Sequence, residues 1–195
     1  MYTVLGSTKN RTLRVIWTLE ELGVPYKQVV GNPGSAEVKA LNPTGKVPAL
    51  IVEGEVFTDS VAIITFLSDR HNSLTFSAGS VERLRMDGHI HFLLEEFDSL
   101  LWVAAKNSFI NPVEQRAEAV KPVLKWEFAR SLQRLEERLQ GDYLMGDTFT
   151  ISDIVAAHCL NWALTAKFPE PSEALKTYAK RCRGREAYKR ALADI

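Results

Sequence analysis

Two polar residues, Asp59 and Ser60, stand where a short predicted strand passes into a predicted helix. The start of a helix leaves backbone N–H groups without intrahelical partners and carries a partial positive charge, so it attracts anions. The same residue types are frequent helix N-caps, and capping uses the same donors as anion binding. The junction therefore predicts a helix start at Asp59 and Ser60 that caps itself, binds an anion, or does both.

A second feature is the stretch NPTGKVPAL, residues 42–50, in which Pro48 heads an apolar run. Proline has no N–H to give to a sheet ladder, so it is confined to strand starts, edges and bulges. The preceding loop already contains Pro43 and Gly45. This stretch alone leaves open whether Pro48 is a trans proline that starts an edge strand or has a special role before a buried one.

The histidines and cysteines do not have the spacing of a metal site. His89 and His91 lie two residues apart on a predicted helix and so point to different faces. Cys159 and Cys182 are too few for a disulfide framework. No zinc-like cluster of these residues exists in the sequence, and we expect no metal.

Composition narrows the class of protein further. Lys plus Arg equal Asp plus Glu at 24 each among 195 residues, which argues against a nucleic-acid binder. No apolar run approaches the roughly 18 residues of a membrane span, and the start resembles no signal peptide. We therefore expect a cytoplasmic protein with neither nucleic-acid nor membrane partners.

The first third of the chain mixes strands and helices in the order β-α-β-α-β-β-α. The predicted elements are Tyr2–Leu5, Arg11–Leu22, Tyr26–Val30, Ser35–Leu41, Ala49–Val52, Glu55–Thr58 and Asp59–His71. Gly23 stops the first helix, and Gly54 marks a hairpin turn.

The rest of the chain predicts helices alone. Apolar residues at helical spacing run from about Val81 to Lys106, then from Leu124 to Leu139, then from Ile151 to about Ala166, with two shorter helices up to Ile195. Thr150 and Asp153 have the spacing of a capping box. The polar segment 72–80 predicts a linker between domains at 1–72 and 80–195.

Three stretches together resemble the cytosolic glutathione transferase family. They are RTLRVIWTLEELGVPY, then NPTGKVPAL with TDSVAIITFL, and finally GDTFTISDIVAAHCL, in the family's order and spacing. The resemblance implies an α/β thioredoxin-like N-terminal domain followed by an all-α C-terminal domain.

The resemblance also implies a glutathione site. In the family, the Val47–Pro48 bond is cis, and the backbone of Val47 pairs with the cysteinyl part of glutathione as an added strand. Ser60 would bind the γ-glutamyl carboxylate and Asp59 the α-ammonium group. Lys46 would reach the glycyl carboxylate; the alternative is that it is a solvated surface charge.

Relatives activate the thiol with a Tyr, Ser or Cys between the first strand and the first helix. Here that loop reads GSTKNRTLRV, with neither Cys nor Tyr. Ser7, Thr8, Asn10 and Thr12 remain as donors to the sulfur, and each could instead only cap the helix. Trp102, on the long helix that walls the acceptor pocket in the family, could contact an electrophile or pack in the core.

The resemblance predicts a transferase for detoxification, in which glutathione is the co-substrate and its thiolate attacks a small hydrophobic electrophile. It also predicts a homodimer. Two alternatives stay open. One is a non-catalytic glutathione-binding or protein-interaction module, and the other is glutathione-dependent isomerisation or reductive dehalogenation.

Overall fold

The computed structural model of the protein describes residues 1–193. Their contacts divide into two compact units, one formed by Met1–Ala78 with the described residues from Arg183 onward, the other by Gly79–Cys182. None of the helices within the described range has the length and apolar character that crossing a membrane requires.

The first unit is a four-stranded sheet with helices, in the predicted order. Its elements are β1 Tyr2–Leu5, α1 Thr12–Leu22, β2 Tyr26–Val29, α2 Ala36–Leu41, β3 Ala49–Val52, β4 Glu55–Phe57 and α3 Ser60–Arg70. The strand order is β2-β1-β3-β4. β1 runs parallel to β2 and antiparallel to β3, and β3 forms a hairpin with β4.

Helix α1 is buried more completely than its sequence pattern predicts. Every residue from Thr12 to Leu19 is buried, not only one apolar face. The helix packs against β1, against α3 and against a C-terminal helix, α9 (Glu186–Ala193). No face of α1 is therefore exposed to solvent between Thr12 and Leu19. α1 ends at Gly23, which adopts the left-handed conformation with φ 64°.

Charged pairs hold α9 on the end of α1. Arg185 donates to both carboxylate oxygens of Glu21, at 2.7 and 2.8 Å. Arg190 donates to a carboxylate oxygen of Glu20 at 2.8 Å and to its backbone carbonyl at 2.9 Å. The last segment therefore groups with the first unit, which differs from the predicted 80–195 division. Two residues of that division, Asp194 and Ile195, lie outside the described residues.

The second unit is helical, as predicted. Its helices are α4 Val81–Leu93, α5 Ser99–Ala105, α6 Val120–Arg138, α7 Ile151–Thr165 and α8 Glu173–Arg183, the last of which ends one residue beyond the unit. Edge-to-face rings form part of its core, in the sequence Phe92, Phe97, Phe128 and Phe168.

The long helix predicted from about Val81 to Lys106 is present, but it is not regular. A π-helical turn at Leu94–Asp98 divides it into α4 and α5, and a second one, Lys106–Ile110, follows α5. At the first turn the Ser99 hydroxyl donates to the carbonyl of Glu95, a local hydrogen bond that competes with regular helix. Apolar periodicity does not reveal the first turn, because the buried residues Leu93, Phe97 and Leu101 keep a spacing of four across it.

The predicted capping box at the start of α7 is confirmed, and its carboxylate does more than cap. One Asp153 oxygen accepts from the Leu144 N–H at 2.9 Å and the Tyr178 hydroxyl at 2.8 Å. The other accepts from the N–H and hydroxyl of Thr150, at 2.9 and 3.3 Å. Burial raises the pKa of Asp153 despite these donors. The residue joins three segments of the second unit, which is a structural role.

Asp153→Asn should destabilise the protein by about 2–4 kcal/mol, because the amide NH₂ faces a donor whichever way it turns. Urea unfolding measures this loss. Asp147→Asn, at an exposed carboxylate three residues before the α7 cap, is the control and should stay within about 0.5 kcal/mol of the parent. Equal stability of the two variants would refute the role assigned to Asp153.

Candidate functional site

The turn before Val47 is held by a buried amide. The Asn42 side-chain oxygen accepts from the Thr44 N–H at 3.2 Å and from its hydroxyl at 2.9 Å. The Asn42 amide group donates to the Lys46 carbonyl at 2.8 Å. Gly45 follows with φ 68°, a conformation that favours glycine. These bonds fix the backbone immediately before Val47.

Val47 itself has a packed side chain and a free backbone. Its side chain packs on the buried cluster of Leu5, Val38 and Ala49. The Val47–Pro48 peptide bond is cis, as predicted, and Pro48 is buried beside β3. Among the described residues, the N–H and C=O of Val47 have no hydrogen-bond partner. An extended peptide can therefore pair with this backbone as an added strand.

The start of α3 combines a helix cap with an unpaired backbone donor. Asp59 is the exposed N-cap, and its carboxylate accepts from the Val61 N–H at 2.8 Å. Ser60 is the first helical residue and only 3% exposed. Its N–H has no hydrogen-bond partner within residues 1–193, and its hydroxyl accepts from the Arg14 guanidinium at 3.4 Å. Capping and a free N–H donor coexist here, on neighbouring residues.

In the loop between β1 and α1, the four candidate donors differ in the hydrogen bonds that they already make. Asn10 caps α1, because its side-chain oxygen accepts from the Thr12 N–H at 2.9 Å and from the Thr12 hydroxyl at 2.7 Å. The fully buried Thr12 is thereby committed to the cap. The Asn10 amide group points to the Ser7 hydroxyl at 3.5 Å. The half-buried Thr8 hydroxyl makes no hydrogen bond to the described chain, so Ser7, Thr8 and Asn10 keep a donor available.

Gly6 is the point at which this loop meets the Val47 turn. It has φ 125°, and a Cβ added to it would lie 2.2 Å from the Thr12 hydroxyl oxygen and 3.0 Å from the Val47 Cβ. Only glycine allows the start of α1 and Val47 to approach this closely. The candidate thiol donors and the unpaired backbone of Val47 therefore lie at the same end of the sheet.

Other predicted residues are placed as follows. Lys46 is exposed, and Trp102 is half-buried on α5 of the second unit. Tyr2, at the head of β1 and outside the β1–α1 loop, hydrogen-bonds His71 at 3.0 Å. Within the range that the structure describes, no group of His, Cys, Asp and Glu could hold a metal ion.

Sequence reasoning missed Arg14 and Asn42. Arg14 interrupts the apolar run of α1 between Leu13 and Val15, and a charged residue at a buried helix position was the available signal. Asn42 could have been recognised as an Asx-type turn residue before Pro43 and Gly45.

Two family models match most of the chain. Residues 11–70 match the model of the glutathione S-transferase N-terminal domain, and residues 84–186 match that of the C-terminal domain. The chain belongs to the glutathione S-transferase family.

Individual relatives of this glutathione S-transferase family member are distant. It is 27% identical to glutathione S-transferase GstA of Escherichia coli O157:H7 over 66% of this chain and 62% of that protein. It is 32% identical to a probable maleylacetoacetate isomerase of Caenorhabditis elegans, over 36% of this chain and 34% of that protein. These matches thus span less than two thirds of either relative.

A solved structure matches over nearly the whole chain. The glutathione transferase from Methylococcus capsulatus str. Bath aligns with TM-score 0.84 at 25% identity, covering 98% of this chain and 97% of that one. The predicted fold class, a thioredoxin-like domain followed by a helical domain, is confirmed for this family member.

Gly6→Ala should destabilise the protein by about 2–5 kcal/mol, because it combines an unfavourable φ with a steric clash at Thr12. Urea unfolding measures this loss. Gly54→Ala is the matched control, since Gly54 also has a positive φ, 88°, but no atom within 4 Å of an added Cβ. It should lose only about 1–2 kcal/mol. If both variants lost the same free energy of unfolding, the close approach of neighbouring atoms at Gly6 would not explain the loss.

Proposed function

We propose that the protein is a glutathione transferase that conjugates the glutathione thiolate to small hydrophobic electrophiles. The observation that carries this proposal is the backbone of Val47, which is unpaired and lies beside the loop of Ser7, Thr8 and Asn10 at Gly6. Relatives named glutathione S-transferase support it. Detoxification in the cytoplasm is the biological setting that we infer.

Glutathione is the extended ligand that this site suits. The cysteinyl N–H and C=O pair with the Val47 backbone, which orients the thiol. The γ-glutamyl carboxylate accepts from the Ser60 N–H and hydroxyl, while exposed Asp59 attracts the α-ammonium group. Lys46, exposed two residues before Pro48, attracts the glycyl carboxylate. Each charged end of the tripeptide thus meets a group of opposite charge or a strong donor.

Activation of the thiol needs a donor to sulfur. A free cysteine thiol has a pKa of about 8.5, so only a small fraction is thiolate at neutral pH. A hydrogen bond from Ser7, Thr8 or Asn10 would stabilise the anion, and the positive end of α1 would add to this effect. The acceptor substrate binds on the helical domain, where we assign a contact to Trp102 of α5.

Two observations favour other functions on the same fold. Asn10 already caps α1, and the loop has neither Cys nor Tyr, which favours a non-catalytic glutathione-binding or protein-interaction module. One relative is named as a probable maleylacetoacetate isomerase, which favours a glutathione-dependent isomerase.

Calorimetric titration with glutathione and a conjugation assay with an aromatic halide separate these functions. We expect saturable binding and turnover that depends on both substrates. Binding without turnover of either the halide or a cis-olefinic acid would favour the module. Turnover of the olefinic acid alone would favour the isomerase, and a lack of binding would overturn the proposed site.

Ser7→Ala, Thr8→Ala and Asn10→Ala identify the donor. One of them should lower kcat about 10²–10³-fold, the usual effect of losing one donor to a developing anion, and raise the thiol pKa seen in the pH profile. Lys9→Ala, an exposed position in the same loop, should change neither value. Three near-normal variants would show that no side chain of this loop activates the thiol.

We also infer a homodimer that buries an apolar groove on the first unit. The groove has a volume of about 270 Å³ and is lined by Leu50, Phe57 and Phe66, among others. Phe57 is 46% exposed and Phe66 40% exposed, and both line this one groove, so they form a contiguous apolar patch. The family resemblance favours a second copy of the chain as the partner.

Sedimentation should give twice the chain mass of 21.9 kDa. Phe57→Glu should shift the protein toward monomer by placing a charge in the groove. Val30→Glu is the control, because Val30 is 69% exposed and follows β2, the opposite edge of the sheet. A monomeric parent protein would refute the dimer, and a dimeric Phe57→Glu variant would refute this groove as its interface.

A further inference from the structure

Arg14 is a fully buried arginine in the first unit. It lies on α1 between Leu13 and Val15, and 0% of its surface is exposed. Taking a guanidinium out of water costs several kcal/mol unless hydrogen bonds compensate. One of its nitrogens lies 3.4 Å from the Ser60 hydroxyl, within the core between α1 and α3. Its charge is therefore held directly behind the residue that begins α3.

The direction of this hydrogen bond determines what Ser60 can do. A guanidinium only donates, so the Ser60 oxygen must accept from Arg14. The Ser60 hydroxyl proton is then available to donate elsewhere, and a hydroxyl that accepts from a charged donor becomes a stronger donor itself. The Ser60 N–H also has no hydrogen-bond partner within the described chain. The start of α3 thus offers two donors with a buried positive charge behind them.

We propose that Arg14 is a positioning residue that makes this donor pair selective for the α-carboxylate of the γ-glutamyl group. The inference rests on the proposed glutathione site. Arg14 does not contact the ligand in this arrangement. It acts through Ser60, by fixing the hydroxyl as a donor toward the carboxylate and by adding positive potential at a helix start that already favours anions. Asp59, whose carboxylate is exposed, acts on the ammonium group instead.

The test compares two ligands rather than one. The first is glutathione, and the second is 4-aminobutyryl-cysteinylglycine, which keeps the amine, thiol and glycyl carboxylate but lacks the α-carboxylate. The parent protein should bind glutathione more tightly than this analogue. Arg14→Met should weaken glutathione binding about 10–100-fold, the range for hydrogen bonds that involve a charged group, and change analogue binding less than about twofold. Arg14→Lys, which keeps the charge, should restore part of the preference.

Two further variants distinguish this role from packing. Ser60→Ala removes the hydroxyl but keeps the backbone N–H, so it should reduce the preference for glutathione without abolishing it. Arg14→Lys should then change little in the double variant, because Arg14 acts mainly through the hydroxyl that Ser60→Ala removes. Lys46→Met should weaken both ligands equally, because both have the glycyl carboxylate. Circular dichroism and urea unfolding identify any variant that fails to fold; if Arg14→Met does so, Arg14→Lys and Ser60→Ala decide the outcome.

The outcomes separate this inference from the proposed function. If the parent protein binds neither ligand, the glutathione site and the role of Arg14 both fall. If it binds glutathione but the folded Arg14 variants keep the full preference over the analogue, only the role of Arg14 falls. If those variants lose both ligands equally, Arg14 serves general packing and the inference is again overturned.

Discussion

The burial of α1 is the constraint on which the rest of the first unit depends. Residues Thr12–Leu19 are enclosed by β1, α3 and α9, so the helix cannot rotate or shift without breaking contacts on every side. Its first turn positions Asn10, its middle holds Arg14 behind Ser60, and its end receives α9. A site built partly from backbone groups needs such a fixed helix, because backbone donors cannot adjust as flexible side chains do.

The charges at the end of α1 explain why the last segment of the chain belongs to this unit. Glu20 and Glu21 stand in the last turn, where the helix dipole disfavours negative charge. Arg185 and Arg190 offset this, and Arg190 also bonds a terminal carbonyl of α1. Glu21 is the most enclosed of the four, with its side chain 7% exposed, and it also accepts from the Trp17 indole at 2.9 Å. A bidentate pair in such partial burial is stronger than an ordinary surface ion pair.

Local sequence signals predicted most of the helices and strands. Contacts between residues that are distant in the sequence could not be predicted from these signals. Pro48, the hairpin at Gly54 and the Thr150–Asp153 box are local signals, and each is found where it was predicted. The docking of α9 joins residues 164 positions apart, and the pairing of Arg14 with Ser60 joins residues 46 apart. Periodicity assigns a residue to a helix face but not to the partner that covers that face, so the buried arginine could not be placed. The π-helical turn at Leu94–Asp98 keeps the spacing of the buried apolar residues, so the sequence pattern did not reveal it.

The loop between β1 and α1 and the start of α3 share one arrangement, in which a buried or half-buried group donates a hydrogen bond to a serine oxygen. At α3 this group is Arg14, which cannot accept and so fixes the direction of the hydrogen bond. At the loop it is the Asn10 amide, whose oxygen is already taken by both donors of Thr12, so only its NH₂ can face Ser7. Each serine can then donate its own hydroxyl proton.

The two hydrogen bonds differ in strength, because a neutral amide at 3.5 Å polarises a hydroxyl far less than a buried guanidinium does. The same arrangement therefore predicts firm recognition of a carboxylate at Ser60 and a weaker hold on a thiolate at Ser7, which leaves Thr8, with its unengaged hydroxyl, as a true competitor for the sulfur.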